Sequence, residues 1–184
     1  MPLTKKQFRQ ICLATLKSVS KHHEFYVNAT LNLTLMQTLK KLKNKKVLLY
    51  APLEFEANIF KTTRLLRKRC KVYLPFMQSE SFKMVPFRLP LKANKFGILE
   101  AGDSLQIIKN IDIAIVPAVG VDGNFQRVGF GKGMYDRFYG ALAKKPYTIF
   151  TQKKLCYTKK IICDSYDVSC DELVAANKVL KNVK

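Results

Sequence analysis

Three short apolar runs, each stopped by a proline, constrain the fold of this chain more than any other feature. "KVLLYAP" ends at Pro52, "CKVYLPF" reaches Pro75, and "IDIAIVPAVGV" carries Pro117 after its clearest stretch, Ile111 to Val116. Such runs are apolar on both faces, as strands covered on both sides must be, and proline ends them because it cannot donate to a ladder. Segments with helical periodicity surround them. "LTKKQF" reads as a helix start: Thr4 caps it, Gln7 completes a capping box, and Leu3 with Phe8 suits a hydrophobic staple. This helix is expected to run to Val19 with Phe8, Cys12, Leu13 and Leu16 inward, and a second to cover Tyr26 to Leu42. "LEFEANIFKTTRLLRKR" places Phe55, Ile59 and Leu66 on one helical face. Lys83 to Phe96, with two prolines, reads as an extended strand or hairpin. A helix from Met134 to Lys144, the strand "YTIFTQ", a polar acidic segment and a short closing helix from Asp171 complete the chain. The alternation predicts a three-layer αβα domain of the α/β class with a mainly parallel sheet, one domain over residues 1–184. Ligands of such sheets bind beyond the carboxyl ends of strands, so the loops after Tyr50, Val116 and Thr151 become the suspects.

Composition narrows the function classes. No apolar run approaches the ~18–20 residues of a membrane span, and "MPLTKKQFRQ" lacks the apolar centre of a signal peptide, so a soluble, cytoplasmic protein with no membrane partner is expected. Asn28 and Asn32 then match the glycosylation pattern by chance. The five cysteines (Cys12, Cys70, Cys156, Cys163, Cys170) are odd in number and show no CxxC spacing, which suggests neither a disulfide framework nor a zinc site. Most are expected to be buried thiols acting as small hydrophobes.

Net charge is the outlying number: 33 Lys+Arg against 13 Asp+Glu gives +20. "KKLKNKK" (Lys40–Lys46) and "RLLRKRCK" (Arg64–Lys71) concentrate it. Three readings are open: solvated helix faces, attraction of a polyanionic small substrate, or nucleic-acid binding. The runs sit at helix ends rather than among exposed aromatics, which favours the first two over nucleic acid.

The stretch "RVGFGKGMYDRFYG" follows a strand and precedes a helix, where anion sites form. Gly129, Gly131 and Gly133 permit positive φ and close backbone approach, so successive N–H groups can form a nest. The spacing is G-x-G-x-G, neither the Walker nor the dinucleotide pattern. Taken alone, such a stretch is more often only a turn. Its company points further: Lys132 lies among the glycines, Arg127 and Arg137 flank them, and Asp136 sits where a carboxylate can hold the Mg²⁺ of a nucleoside triphosphate.

"VPAVGVDGNFQRVGFGKGMYDRF" resembles the signature of the 5-formyltetrahydrofolate cyclo-ligase family. The resemblance extends in order along the chain, through "KKQFR", "LLYAPLEFE", "VYLPFM", "FGILEAG", "TQKK" and "YDVSCDELV". Carried over by position, it implies that Lys5, Arg9 and the run Arg127, Val128, Gly129, Phe130, Gly131, Lys132, Gly133, Met134 and Tyr135 bind ATP. It implies that Leu49, Glu54 and the residues Phe130 to Met134 bind the folate, that Asp136 and Asp167 hold Mg²⁺, and that Lys132 and Arg127 are catalytic. Three departures stand out: Phe125 where the family has a glycine, Ala101 for a proline after Glu100, and Met134 for an aromatic residue.

The reaction so implied is the ATP- and Mg²⁺-dependent cyclisation of 5-formyltetrahydrofolate to 5,10-methenyltetrahydrofolate, with ADP and phosphate released. Phosphoryl transfer asks for positioning and charge stabilisation rather than a protein nucleophile, which suits a chain without a Ser-His or Cys-His pair. The rivals are a basic nucleic-acid-binding protein and, among enzymes, a sugar-phosphate isomerase-like protein needing neither ATP nor Mg²⁺. A monomer is the simplest expectation, and the surplus lysines would suit a polyglutamate tail on the folate.

Overall fold

A computed structural model describes residues 2–19, 21–176 and 178–183. The helices are α1 (Lys5–Lys17), α2 (Lys21–Thr38), α3 (Phe60–Leu66) and α4 (Met134–Gly140). The strands are β1 (Lys46–Leu48), β2 (Lys71–Met77), β3 (Phe82–Pro86), β4 (Lys92–Ala93), β5 (Leu99–Glu100) and β6 (Ile113–Pro117). They continue with β7 (Gly120–Val121), β8 (Arg127–Val128), β9 (Tyr147–Gln152), β10 (Glu172–Ala175) and β11 (Lys178–Lys181). The main sheet has the order β11-β10-β9-β6-β1-β2-β3. Its inner pairs are parallel and its two edge pairs, β2–β3 and β10–β11, antiparallel.

The period-2 geometry of strands turns the proline-stopped runs into two cores. Val47, Leu49, Val72, Leu74, Ile113, Ile115, Ile149 and Val174 face one side, covered by Leu31 and Leu35 of α2, by Leu39 just after it and by Leu66 of α3. Leu48, Tyr73, Ala114, Val116, Phe150 and Leu173 face the other, covered by Phe138 and Tyr139 of α4. This is the three-layer arrangement with a mainly parallel sheet that the alternation predicts. A third cluster seats Phe8, Cys12 and Leu16 of α1 against Val119, Val128 and Cys156, beside the carboxyl ends of the strands. The capping box at Thr4 and Gln7 forms as expected.

Four expectations are corrected. The helix expected from Leu53 survives only as α3, because tertiary partners take the backbone before it. Tyr50 Oη donates to the Ala57 carbonyl at 2.8 Å, Asn58 N to Asn28 Oδ1 at 2.9 Å, and Leu53 N to Glu56 Oε2 at 2.9 Å. The closing helix from Asp171 is instead β10 and β11: Leu173 and Val174 bury opposite faces, and pairing with β9 overrides local propensity. The helix after the glycine loop stops at Gly140, short of Lys144. Finally, Cys12 and Cys156 form a disulfide across 144 residues, which tethers α1 to the segment after β9. Cys70, Cys163 and Cys170 are free.

The Phe125 departure is accommodated rather than avoided. Phe125 adopts φ +56°, a conformation natural to glycine, while its ring packs against Tyr157 at 5.7 Å between centroids. Asp122, fully buried just before it, organises this region. Its Oδ1 accepts from Asn124 N and Gln126 N, each at 3.0 Å, and its Oδ2 from Ile162 N and Cys163 N at 3.1 and 3.0 Å.

Candidate active site

The glycine loop lies between β8 and α4, beyond the carboxyl ends of β6 and β9. Gly131 and Gly133 take φ of +97° and +62°, which only glycine adopts readily. With seven residues, α4 contributes a weak dipole, so charge at the loop comes from side chains. Each glycine is faced by a different guanidinium. A Cβ on Gly129 would come within 2.4 Å of Arg127 Nη1, one on Gly133 within 2.8 Å of Arg137 Nη1, and one on Gly131 would lie 3.8 Å from Arg9 Cζ.

The chain fixes these arginines through its own carbonyls. Arg9 Nε donates to the Gly129 carbonyl at 2.8 Å, which docks α1 onto the loop. Arg127, buried, donates from Nε to the Pro117 carbonyl at 2.7 Å and stacks on Tyr135 at 4.8 Å. Arg137 donates to the carbonyls of Lys132 (2.6 Å) and Glu80. Lys132 is exposed, Met134 and Tyr135 are half-buried, and Val128 belongs to the core beneath α1. Phe130, 39% exposed, turns outward from the loop into an adjoining cleft.

Asp136 is tied to the backbone next to Asp167, whose own carboxylate is engaged by Lys5 and the Asp164 amide. Val168 N donates to Asp136 Oδ1 at 3.2 Å, while Asp167 Oδ2 accepts from Asp164 N at 2.7 Å and pairs with Lys5. Lys5 also reaches Asp164 at 3.3 Å. Burial alone would lower the Lys5 pKa, but the hydrogen bond and charge of Asp167 raise it. Among the described residues no group of three or more His, Cys, Asp or Glu could cage a metal. One or two carboxylates are the donor set Mg²⁺ takes when substrate phosphates complete its shell. The residues present therefore fit a magnesium–triphosphate rather than a metal held by protein alone, and the arginine-ringed loop fits the phosphates.

The expected folate contacts are divided. Leu49 is fully buried in the core under α2, and Glu54 is exposed. The carboxylate that lines the cleft is Glu56, with Phe55, Phe130, Pro117, Gln152 and Lys153. Burial pushes Glu56 up to about 7, only partly opposed by the Leu53 amide and by the charges of Arg127 and Lys153. Tyr50 and Tyr135 are raised as well, by burial first and then by the negative charge of Glu56. Lys153 is buried, pairs with Glu24 and donates to the Glu54 carbonyl at 2.5 Å. Burial also pushes the Cys163 and Cys170 thiols up, so neither is a thiolate nucleophile at neutral pH.

Sequence reasoning missed Glu56, Lys153 and Asp122. The first shares its run with Glu54, and only the non-helical turn at Leu53–Glu56 decides which carboxylate enters the cleft. Gln152, by contrast, is structural: it bridges Val119 O, Cys156 O and Cys156 N. Glu100 likewise anchors the end of β2 by accepting from Met77 N at 2.8 Å. No helix among the described residues is long and apolar enough to cross a membrane.

Comparison with known proteins places the whole chain beside one enzyme family. The model of the 5-formyltetrahydrofolate cyclo-ligase family matches residues 3–176. A probable 5-formyltetrahydrofolate cyclo-ligase of Schizosaccharomyces pombe is 32% identical over 108 residues, 50% of this chain and 53% of the relative, so the match spans about half of that protein. An NMR structure of Aquifex aeolicus 5,10-methenyltetrahydrofolate synthetase superposes with a TM-score of 0.84 at 23% identity, covering 99% of this chain and 94% of that one. A 5,10-methenyltetrahydrofolate synthetase from Mycoplasma pneumoniae superposes with a TM-score of 0.71 at 21% identity, covering 95% and 99%. At these identities the two structures speak for the fold alone.

Proposed function

The chain belongs to the 5-formyltetrahydrofolate cyclo-ligase family, and on that premise we propose that it closes 5-formyltetrahydrofolate to 5,10-methenyltetrahydrofolate at the expense of ATP. The observation that carries the reading is the loop in which three glycines are each faced by one guanidinium. Backbone amides freed of Cβ atoms, with fixed cations around them, suit a triphosphate and the charge that moves along it during transfer.

In this reading ATP supplies the phosphoryl group that turns the formyl oxygen into a leaving group. Arg127 and Lys132 stabilise charge at the transferring group, and Lys5 and Arg9 hold the phosphates from α1. Asp136 and Asp167 would hold Mg²⁺, which would supply positive charge to offset that of the phosphates. Phe130 and the cleft beside it receive the pterin and exclude water. Arg127 links both halves, since its field reaches Glu56 while its guanidinium lies against Gly129.

The test is the ultraviolet absorbance of 5,10-methenyltetrahydrofolate on mixing the protein with 5-formyltetrahydrofolate and Mg²⁺, with and without ATP. ATP-dependent product formation is expected. Absence of product under both conditions overturns the reading.

A further inference from the structure

Glu56 is the carboxylate that lines the cleft beside the glycine loop. It shares that lining with Phe130 of the glycine loop, Gln152 and Lys153. Its Oε2 accepts from Leu53 N at 2.9 Å. Among the described residues it is in no ion pair, although two cations are near: Lys153 is engaged by Glu24 and the Glu54 carbonyl, and Arg127 by the Pro117 carbonyl and the Tyr135 ring. The other titratable groups that face it are the hydroxyls of Tyr50 and Tyr135. Tyr50 Oη is taken up by the Ala57 carbonyl and Thr151 Oγ1, each at 2.8 Å. Glu56 is thus the acid–base group of the cleft that no partner neutralises.

We propose that Glu56 is the general base of ring closure, accepting the proton of the attacking folate amine; this rests on the cyclo-ligase reading. The amine nitrogen gives its lone pair to the activated formyl carbon, forming the new C–N bond. Its N–H bond breaks, with the proton passing to the Glu56 carboxylate. The C–O bond then breaks with its electron pair leaving on phosphate, and the product is the methenyl cation. A carboxylate raised to about 7 by burial is matched to such a transfer near neutral pH. Glu54, exposed, is not placed for this step.

The experiment compares wild type, Glu56→Gln and Glu56→Asp by turnover from pH 5.5 to 8 and by calorimetric titration with 5-formyltetrahydrofolate. Wild-type kcat/KM is expected to fall about tenfold per pH unit below about 7, because the base must be ionised. Glu56→Gln should lose ~10²-fold in kcat and flatten that limb, with the folate Kd changed by less than about threefold. Glu56→Asp should keep the limb with partial activity. Wild-type turnover in Glu56→Gln, or a loss of folate binding that accounts for all its lost kcat/KM with the limb intact, overturns the proposal. An inactive wild type would instead sink the cyclo-ligase reading, and this inference with it.

Discussion

The two ends of the sheet are both basic, but they are built differently. At the carboxyl end most cations are fastened: Arg9, Arg127 and Arg137 to backbone carbonyls, Lys5 to Asp164 and Asp167, and Lys153 to Glu24, while Lys132 stands exposed among the glycines. At the amino end, pairing of β1 with β2 sets Lys46 beside Lys71, and Asn44 N bonds the Arg69 carbonyl at 2.8 Å. The runs Lys40–Lys46 and Arg64–Lys71 thereby merge into one exposed face. Among the described residues none of its cations is in a salt bridge; Arg69 donates to the Leu39 and Lys40 carbonyls and Arg67 lies over the Phe87 ring, while the lysines are not held this way. Charge that is fixed before a ligand arrives costs little ordering on binding, whereas free lysines must lose rotamer entropy. The +20 surplus is therefore a poor pointer to the site. The runs that concentrate it lie at the end of the sheet away from the glycine loop.

The difference can be broken by mutation. Lys132→Ala should cost the most, ~10²–10³-fold in turnover with folate binding less affected, measured by product absorbance and calorimetry. Asp136→Asn should raise the KM for Mg·ATP about tenfold and leave the folate KM unchanged. Cys12→Ser, or reduction of the wild type, should lower unfolding free energy by ~2–4 kcal/mol in urea titrations. It should also weaken ATP binding, because the bond anchors the helix that carries Lys5 and Arg9.

Glu56→Gln tests the site's cost to stability. Its acid titrates near 7 in the folded chain against 4.5 ordinarily, so the folded state binds more protons between those values. Wild-type stability should then fall as pH rises from 4.5 to 7, because an ionised carboxylate is being forced into the cleft. The variant should melt above wild type at pH 8 and converge with it below pH 4.5; no pH dependence in the difference would contradict the burial argument. The smallest effect belongs to the other end: Lys43→Gln, Lys45→Gln and Lys68→Gln together should change kcat/KM less than about twofold and stability by less than about 1 kcal/mol. A loss approaching that of Lys132→Ala would erase the distinction between the two ends.

Much of this was legible along the chain where the cause is local. The apolar runs became β1, β2 and β6, although only β6 stops at its proline and β2 continues through Pro75 to Met77 in its antiparallel pairing with β3. Thr4 and Gln7 formed their capping box, and the G-x-G-x-G loop took positive φ at Gly131 and Gly133. What escaped depends on partners far away in sequence. The turn at Leu53–Ala57 exists because Tyr50, Asn28 and Lys153 claim its backbone. Glu172–Ala175 became a strand because an open edge of β9 offered it hydrogen bonds. Asp122 looks like any loop aspartate until four amides converge on it.

The sequence by itself determined the layered α/β class, the glycine loop and its basic neighbours, since strand periodicity, proline placement and glycine backbone freedom act over a few residues. Long-range packing brought three arginines from α1, β8 and α4 each to one glycine, and Cys12 to Cys156. It alone chose Glu56 rather than Glu54 for the cleft. Those outcomes depend on which surfaces are buried against each other, and burial is a property of the packed chain.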